Sequence, residues 1–148
     1  MQKRPEDIKE EDTTEEGFFV VSFCFIGKRG LEHMVEPGFS YEARGQVLVI
    51  HLPKELDHHN CRSLRYETDL LLAENYVTKI VFDFSKTVFM DSSGIGVLLN
   101  RYKQMERSGG KVSLYGAGAQ ILRVLAIGGV GKLVPQYDSK EAAIADAL

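Results

Sequence analysis

From residue 39 onward, short runs of β-branched and aromatic residues alternate with longer segments of helical apolar period. This alternation constrains the fold more than any other feature, because strand–helix–strand order predicts parallel strands joined by helical crossovers. The pattern opens differently, since residues 40–44 and 46–52 flank Gly45 as a predicted hairpin. We therefore predict an α/β fold in a single domain. Its mixed β-sheet of about four to five strands opens with a hairpin and carries amphipathic helices mainly on one face.

Three further strands and four helices are predicted downstream of the hairpin. The strands cover residues 80–84, 112–115 and 133–136, and the helices cover residues 60–75, 93–108, 119–127 and 139–148. Asn60 is the predicted N-cap of the first helix, and Ser139 that of the last. The residues that we expect on the buried sides of the first two helices are Cys61, Leu64, Thr68 and Leu71, and Ile95, Leu98, Leu99, Tyr102 and Met105.

Composition and charge exclude several classes of protein. A length of 148 residues suits one domain. A net charge of -3 gives no basic surface for nucleic acid, and no apolar run approaches the roughly 18 residues of a membrane span. The two cysteines, Cys24 and Cys61, form no CxxC pair, so we expect reduced thiols in a cytoplasmic protein.

The first 35 residues differ from the rest of the chain. Residues 1–17 are rich in acidic side chains, which is typical of a mobile tail. An apolar run over residues 18–26 follows, which is too short for a bilayer and is a candidate extra strand. We expect residues 1–35 to be an N-terminal extension that is either disordered or not part of the native protein, with Met34 as a candidate start. Residues 36–148 then form the domain.

The stretch VFMDSSGIGVLLNRYK, residues 88–103, places two adjacent serines between a strand and a helix. Free backbone N–H groups and the positive end of the helix dipole gather at such a junction. The simplest interpretation is an N-cap formed by Asp91 or Ser92. A hydrolase elbow, G-x-S-x-G, does not fit, because Met90 stands two residues before Ser92 and Asp91 two before Ser93.

Other chemistries find no support in the sequence. Gly94-Ile95-Gly96 begins a dinucleotide fingerprint, but Leu99 occupies the position of the third glycine, so we predict no cofactor. His59 and Cys61 lack a second pair of ligands, so we predict no metal site. A serine displayed without an activating base suits the substrate of a kinase, because a phosphate adds a charge of about -1.5 to -2 to the surface.

Two motifs resemble those of a known family. The segment FMDSSGIGVLLNRYKQMERSGGKV resembles the phosphoacceptor segment of anti-sigma factor antagonists, which are STAS-domain proteins. The stretch ELDHHN, residues 55–60, resembles the sporulation branch in particular, the anti-sigma F factor antagonists. The resemblance covers residues 37–148, and the chain departs from the family pattern at Pro53-Lys54.

The resemblance implies a regulator rather than an enzyme. The unphosphorylated protein would bind a cognate anti-sigma factor, itself a serine kinase, and release a sigma factor, in this branch sigma F. Phosphorylation of Ser92 would switch it off, and a PP2C-type phosphatase would restore it. The residues expected at the partner interface are Asp57, His58, Asp91, Ser92, Ser93, Gly94 and Ile95. Two alternatives remain, a general-stress (sigma B type) antagonist and, from another class, a small serine hydrolase.

Each interface residue also has a structural interpretation. Asp91 serves as a cap, with or without a docking role, and Ile95 is either an exposed anchor or part of the core. Gly94 and Gly96 keep the junction small, so that a partner's backbone can approach it.

Overall fold

A computed structural model of the chain describes residues 19–21 and 40–146. The strands in these ranges are β1 (Phe19–Val21), β2 (Ser40–Arg44), β3 (Val47–His51), β4 (Glu55–Leu56), β5 (Lys79–Asp83), β6 (Phe89–Met90), β7 (Lys111–Tyr115) and β8 (Gln136–Tyr137). The helices are α1 (His58–Glu74), α2 (Ser92–Arg107), α3 (Ala119–Ile127) and α4 (Lys140–Ala145), with a 3-10 turn over Val130–Lys132.

The main sheet has the order β1-β2-β3-β5-β7-β8. The pairs β1–β2 and β2–β3 are antiparallel, and the remaining pairs are parallel. The predicted α/β fold with a mixed sheet that opens with a hairpin is therefore confirmed. Five strands of this sheet lie within residues 40–137, and β1 adds a sixth at the edge beside β2.

Side chains of the central strands alternate between two cores, as the period of two in a strand requires. Leu48, Ile50, Ile80 and Phe82 face a layer formed by α1, α2 and α3. The residues between them face the opposite side, where Val49 and Val81 pack with Ile144 and its neighbour on α4. The helices thus lie mainly on one face, and the short α4 covers part of the other.

A polar cluster lies on the α4 face at the carboxyl ends of β3 and β5; Glu42, His51, Asp83 and Lys140 are hereafter the histidine cluster. The Nδ1 atom of His51 lies 2.5 Å from Oδ2 of Asp83, and its Nε2 atom contacts a carboxylate oxygen of Glu42. Lys140 donates from Nζ to Oε2 of Glu42 at 3.1 Å. Burial in a closed set of ionic and hydrogen-bonding partners indicates a structural role for this cluster.

Two predicted elements begin two or more residues away from their observed starts. Asn60 is not the cap of α1, which begins two residues earlier, because the Asp57 carboxylate accepts the Asn60 N–H at 2.9 Å. The last strand lies at Gln136–Tyr137 rather than at 133–136. The Leu133 N–H bonds back to the Val130 carbonyl in a turn, and Pro135 has no N–H to donate to a ladder.

The buried face of α2 is wider than its apolar pattern predicted. Leu98 and Met105 are buried, whereas three predicted members pack only partly against the core, namely Ile95, Leu99 and Tyr102. Val97 and Arg101 are buried as well, although neither was predicted on this face. Arg101 is accommodated because its Nη2 atom donates to the Thr68 hydroxyl and to the Arg65 carbonyl and forms an ion pair with Asp69.

The predicted N-terminal extension, residues 1–35, lies outside the described residues apart from β1, and its status stays a prediction. Within the described ranges, none of the helices combines the length and the apolar character that a membrane span requires.

Candidate functional site

Two short strands bring the start of α1 and the start of α2 together. β4 pairs in parallel with β6, and Leu56 stands opposite Met90 in that pair. The Asp91 N–H donates to the Leu56 carbonyl at 3.3 Å, which continues the pairing by one step. The next residue on each strand, Asp57 and Asp91, is therefore held at the same edge.

Both aspartates are helix N-caps. Asp57 accepts the N–H of Asn60 at 2.9 Å, and Asp91 accepts the N–H of Ser93 at 2.8 Å. Each cap satisfies one of the N–H groups that a helix start leaves without a partner. Of the two candidates for the cap of α2, the structure selects Asp91, so the Ser92 hydroxyl is not needed for capping.

The two serines have different environments. Ser92 is exposed, and no described side chain or backbone group bonds to its hydroxyl. Ser93 is half-buried, and its Oγ atom lies 3.3 Å from Nδ1 of His58, the first residue of α1. The structure therefore gathers Asp57, His58, Asp91, Ser92 and Ser93 at one place, hereafter the serine edge.

Gly94 and Ile95 are more internal than the rest of the predicted interface. A Cβ atom on Gly94 would lie 2.5 Å from Cγ of Met90 and 3.1 Å from Cδ2 of Leu56, so packing alone requires a glycine there. Ile95 is half-buried against the core and contacts Gly128 at the end of α3. Their predicted contacts with a partner stay a prediction. Gly96, in contrast, has open space where a Cβ atom would lie.

A groove of about 440 Å³ runs beside the serine edge between α1 and α2. Its polar lining includes His58, Arg62, Arg65 and Ser93, whereas Ser92 lies outside it. Asp69 also lines the groove, so this surface carries charges of both signs.

Comparison with known proteins agrees with this architecture, because residues 39–143 match the STAS domain. The chain belongs to the STAS domain family. An anti-sigma F factor antagonist from Paenibacillus polymyxa is 34% identical over 100 residues, which cover 68% of this chain and 86% of that protein. A second one, from Lysinibacillus sphaericus, is 31% identical over 97 residues, or 66% of this chain and 83% of that protein. The predicted resemblance to these antagonists is confirmed.

Solved structures of similar antagonists share the fold of this chain. The anti-sigma factor antagonist SpoIIAA in its unphosphorylated form gives a TM-score of 0.66 at 30% sequence identity, and the match covers 73% of this chain and 94% of that one. The Bacillus protein in its phosphorylated form gives a TM-score of 0.61 at 30% identity, over 74% of this chain and 99% of that one. The fold of this STAS domain has therefore been seen in proteins with and without a phosphate.

Several surface residues near the serine edge of this STAS domain were not predicted from the sequence. Arg62 and Arg65 lie four and seven residues after His58, a spacing that places all three on one helix face and that was available as a signal. Val88 and Phe89 are 54% and 45% exposed, because β6 pairs only with β4 and leaves its outer side open. Nothing in their apolar type distinguished them from buried strand residues.

Cys61 lies beneath the two caps and is a poor nucleophile. Burial raises the pKa of the Cys61 thiol to about 12, and the nearby carboxylates of Asp91 and Asp57 act in the same direction. The thiol therefore stays protonated near neutral pH, whereas metal binding and nucleophilic attack require the thiolate. Across residues 19–21 and 40–146, no three His, Cys, Asp or Glu side chains are grouped so that they could hold a metal ion.

Proposed function

We propose that this STAS protein is a cytoplasmic anti-anti-sigma factor whose switch is phosphorylation of Ser92. In the unphosphorylated form it binds an anti-sigma factor that is also a serine kinase, and a sigma factor, sigma F of sporulation, is released. The observation that carries the proposal is the exposed Ser92 hydroxyl beside a helix N-terminus that Asp91 already caps. The sigma F branch is favoured by the similarity to anti-sigma F factor antagonists.

The proposed reaction needs little from this chain beyond a displayed hydroxyl. The Ser92 Oγ atom attacks the γ-phosphorus of ATP, the O–P bond forms, and the bond between the γ-phosphorus and the bridging oxygen breaks as ADP leaves. The hydroxyl proton passes to a base on the kinase, because Ser92 has no base beside it among the described residues. A PP2C-type phosphatase then hydrolyses the phosphoserine and returns the hydroxyl.

Release of the kinase follows from charge. The new phosphate lies at the start of α2, where the helix dipole tolerates an anion, so the domain keeps its fold. A bound kinase presents its own nucleotide phosphates and acidic groups to that spot. At an effective dielectric constant near 20, two like charges about 4 Å apart repel by about 4 kcal/mol, or nearly a thousandfold in affinity.

A pull-down with the immobilised chain from the lysate of a spore-forming host tests the assignment. Mass spectrometry should identify a serine kinase of the anti-sigma F class, and addition of the chain to the kinase–sigma factor complex should release the sigma factor. Capture of a general-stress kinase with release of sigma B would select the alternative branch. Failure of the chain to displace any sigma factor from the captured kinase would contradict the proposal.

One observation bears on a serine hydrolase as a second candidate, namely the 3.3 Å contact between His58 Nδ1 and Ser93 Oγ. A hydrolytic serine needs a histidine base that a third group orients, and no carboxylate among the described residues hydrogen-bonds to the His58 ring. A fluorophosphonate probe separates the candidates. The regulator should remain unlabelled, whereas labelling of Ser93 that His58→Ala abolishes would establish the enzyme.

A further inference from the structure

The serine edge has two neighbouring hydroxyls, and only one of them lacks a hydrogen-bond partner among the described residues. Ser93 lines the groove between α1 and α2, is half-buried, and lies against the His58 ring with Oγ 3.3 Å from Nδ1. Ser92 is exposed outside the groove and has no partner for its hydroxyl in the described part of the chain. The hydroxyls of these adjacent serines thus differ in one contact, which comes from another helix.

The backbone on both sides brings these two side chains within reach of each other. The β4–β6 pair sets Leu56 opposite Met90, so α1 and α2 begin at the same level. Asp57 caps α1 immediately before His58, and Asp91 holds the Ser93 N–H at 2.8 Å. The imidazole therefore projects from a fixed helix start toward a serine whose own backbone is anchored.

We infer that His58 selects the phosphoacceptor: by hydrogen-bonding the Ser93 hydroxyl, it withholds Ser93 from the kinase and leaves Ser92 as the available one of the two serines. The inference rests on the proposed function, because it requires a kinase that acts at this junction. His58 is a positioning residue in this account, since it acts through Ser93 and takes no part in the transfer to Ser92.

The chemistry of transfer explains why the contact matters. An acceptor Oγ must point a lone pair along the line of the bond that breaks between the γ-phosphorus and ADP, and its proton must leave toward a base on the kinase. For Ser93 this requires loss of the bond to His58 and displacement of the ring from the rim of the groove. The net loss of one hydrogen bond disfavours Ser93 by about tenfold.

The same contact could have the opposite effect if the imidazole served as a base for Ser93. The two roles predict opposite changes in the phosphorylation of Ser93 when the ring is removed. If His58 withholds Ser93, removal of the ring increases phosphorylation of Ser93; if His58 activates Ser93, removal of the ring decreases it.

The test uses the full chain, Mg·ATP and the kinase recovered in the pull-down, with the ratio of phosphate on Ser93 to phosphate on Ser92 read by tandem mass spectrometry. Wild type should carry its phosphate on Ser92. His58→Ala should raise the Ser93 to Ser92 ratio by about tenfold, the worth of one hydrogen bond. His58→Asn retains an amide that can bond to Ser93 and should restore the wild-type ratio. His59→Ala is the matched control and should leave the ratio unchanged.

The outcomes distinguish this inference from the proposed function. Suppose that wild type is phosphorylated on Ser92 and that His58→Ala shows an unchanged or lower ratio of phosphate on Ser93 to phosphate on Ser92. This result overturns the inference but does not contradict the proposed function. Wild type with no phosphate on either serine overturns both. Without any kinase, the ring-nitrogen chemical shifts of His58 should change in Ser93→Ala, and identical shifts would show that no bond forms in solution, which also overturns the inference.

Discussion

The serine edge and the histidine cluster both lie at the carboxyl ends of strands, yet they differ in how far their polar groups are buried and hydrogen-bonded within the domain. In the histidine cluster, the Glu42, His51 and Asp83 side chains are 10%, 18% and 10% exposed, and both nitrogens of the His51 ring contact a carboxylate. At the serine edge, Ser92 is exposed and its hydroxyl has no described partner. A polar group whose bonds are complete inside the fold stabilises the fold, whereas one left open at the surface is available to another protein.

The largest effect is expected from a charge placed at the serine edge. Ser92→Asp should weaken binding of the kinase by up to about a thousandfold, because of like-charge repulsion in the interface. Its free energy of unfolding should change by less than about 1 kcal/mol, since an anion at a helix start is tolerated. Calorimetric titration and denaturant unfolding measure the two quantities.

Two variants serve as controls for this prediction. Ser92→Ala should bind the kinase and stay bound, because it cannot be phosphorylated. Ser139→Asp places the same charge at the N-cap of α4 and should leave the kinase affinity unchanged. Tight binding by Ser92→Asp, or unfolding of the domain by it, would contradict electrostatic release and leave Ser92 without a switching role.

In the histidine cluster, a substitution should lower the stability of the domain and leave kinase binding unchanged. Asp83→Asn removes the charge that His51 contacts at 2.5 Å, and loss of one partner from a largely buried pair should lower the free energy of unfolding by about 2–3 kcal/mol. Kinase affinity of the folded fraction should not change. Urea unfolding measures the loss, and Asp138→Asn on the exposed surface is the matched control, for which we expect a change within about 0.5 kcal/mol.

Two glycines of α2 that follow the serine edge sharpen the comparison. Gly94→Ala should destabilise the domain by about 1–3 kcal/mol, because its Cβ atom would lie 2.5 Å from Met90 Cγ. Gly96→Ala should stabilise it by about 0.5–1 kcal/mol, because the site is open and alanine favours a helix. If Gly96 also admits a partner's backbone, the stabilised variant should bind the kinase more weakly. Equal thermal stabilities of the two variants would show that the packing described around Gly94 is absent in solution.

The pH dependence of stability should be the smallest effect and should come from the histidine cluster. Burial alone would lower the pKa of His51, but hydrogen bonds to Asp83 and Glu42 outweigh it and raise that pKa. Burial would raise the pKa of Asp83, yet bonds from His51 and Ser85 hold it well below its usual range. Lys140 on α4 and Tyr115 on β7 are the other titratable groups beside these residues.

The signs of these shifts define a window of maximal stability. The His51 contribution is complete below the pKa of an unfolded histidine, about 6.5, and is lost as pH rises through the raised value. The Asp83 contribution is complete above about pH 3.9 and is lost as pH falls toward its lowered value. Stability should therefore be highest between about pH 4 and pH 6.5. The decrease in the free energy of unfolding above this window should be absent in His51→Leu. If the decrease persists in that variant, another titrating group causes it.

Local patterns predicted much of the fold, and contacts between distant segments account for what they missed. The helical period of Leu64, Thr68 and Leu71 identified the buried face of α1 correctly. Asp57 and Asn60 are both good caps in isolation, and the choice between them depends on β4. That strand is only two residues long and exists because β6 pairs with it.

The serine edge was predictable in its chemistry and less so in its geometry. The order Asp-Ser-Ser-Gly identified the junction, and the pairing of β4 with β6 places a second helix start beside it. No sequence pattern distinguished Ser93, which contacts His58, from Ser92, which does not, because the contact joins residues 35 positions apart. Burial of Arg101 was missed for the same reason, since its partners lie on the other helix of the pair.

The central claim, that a charge at Ser92 changes binding and leaves the fold intact, is tested most directly by one paired measurement. The chain is prepared with and without phosphoserine at position 92, and each form is titrated with the kinase while its amide spectrum is recorded. We predict that the phosphorylated form loses at least about a hundredfold in affinity, with amide shifts confined to the serine edge and no change at the histidine cluster. Equal affinities of the two forms, or shifts that extend through the histidine cluster, would contradict the account.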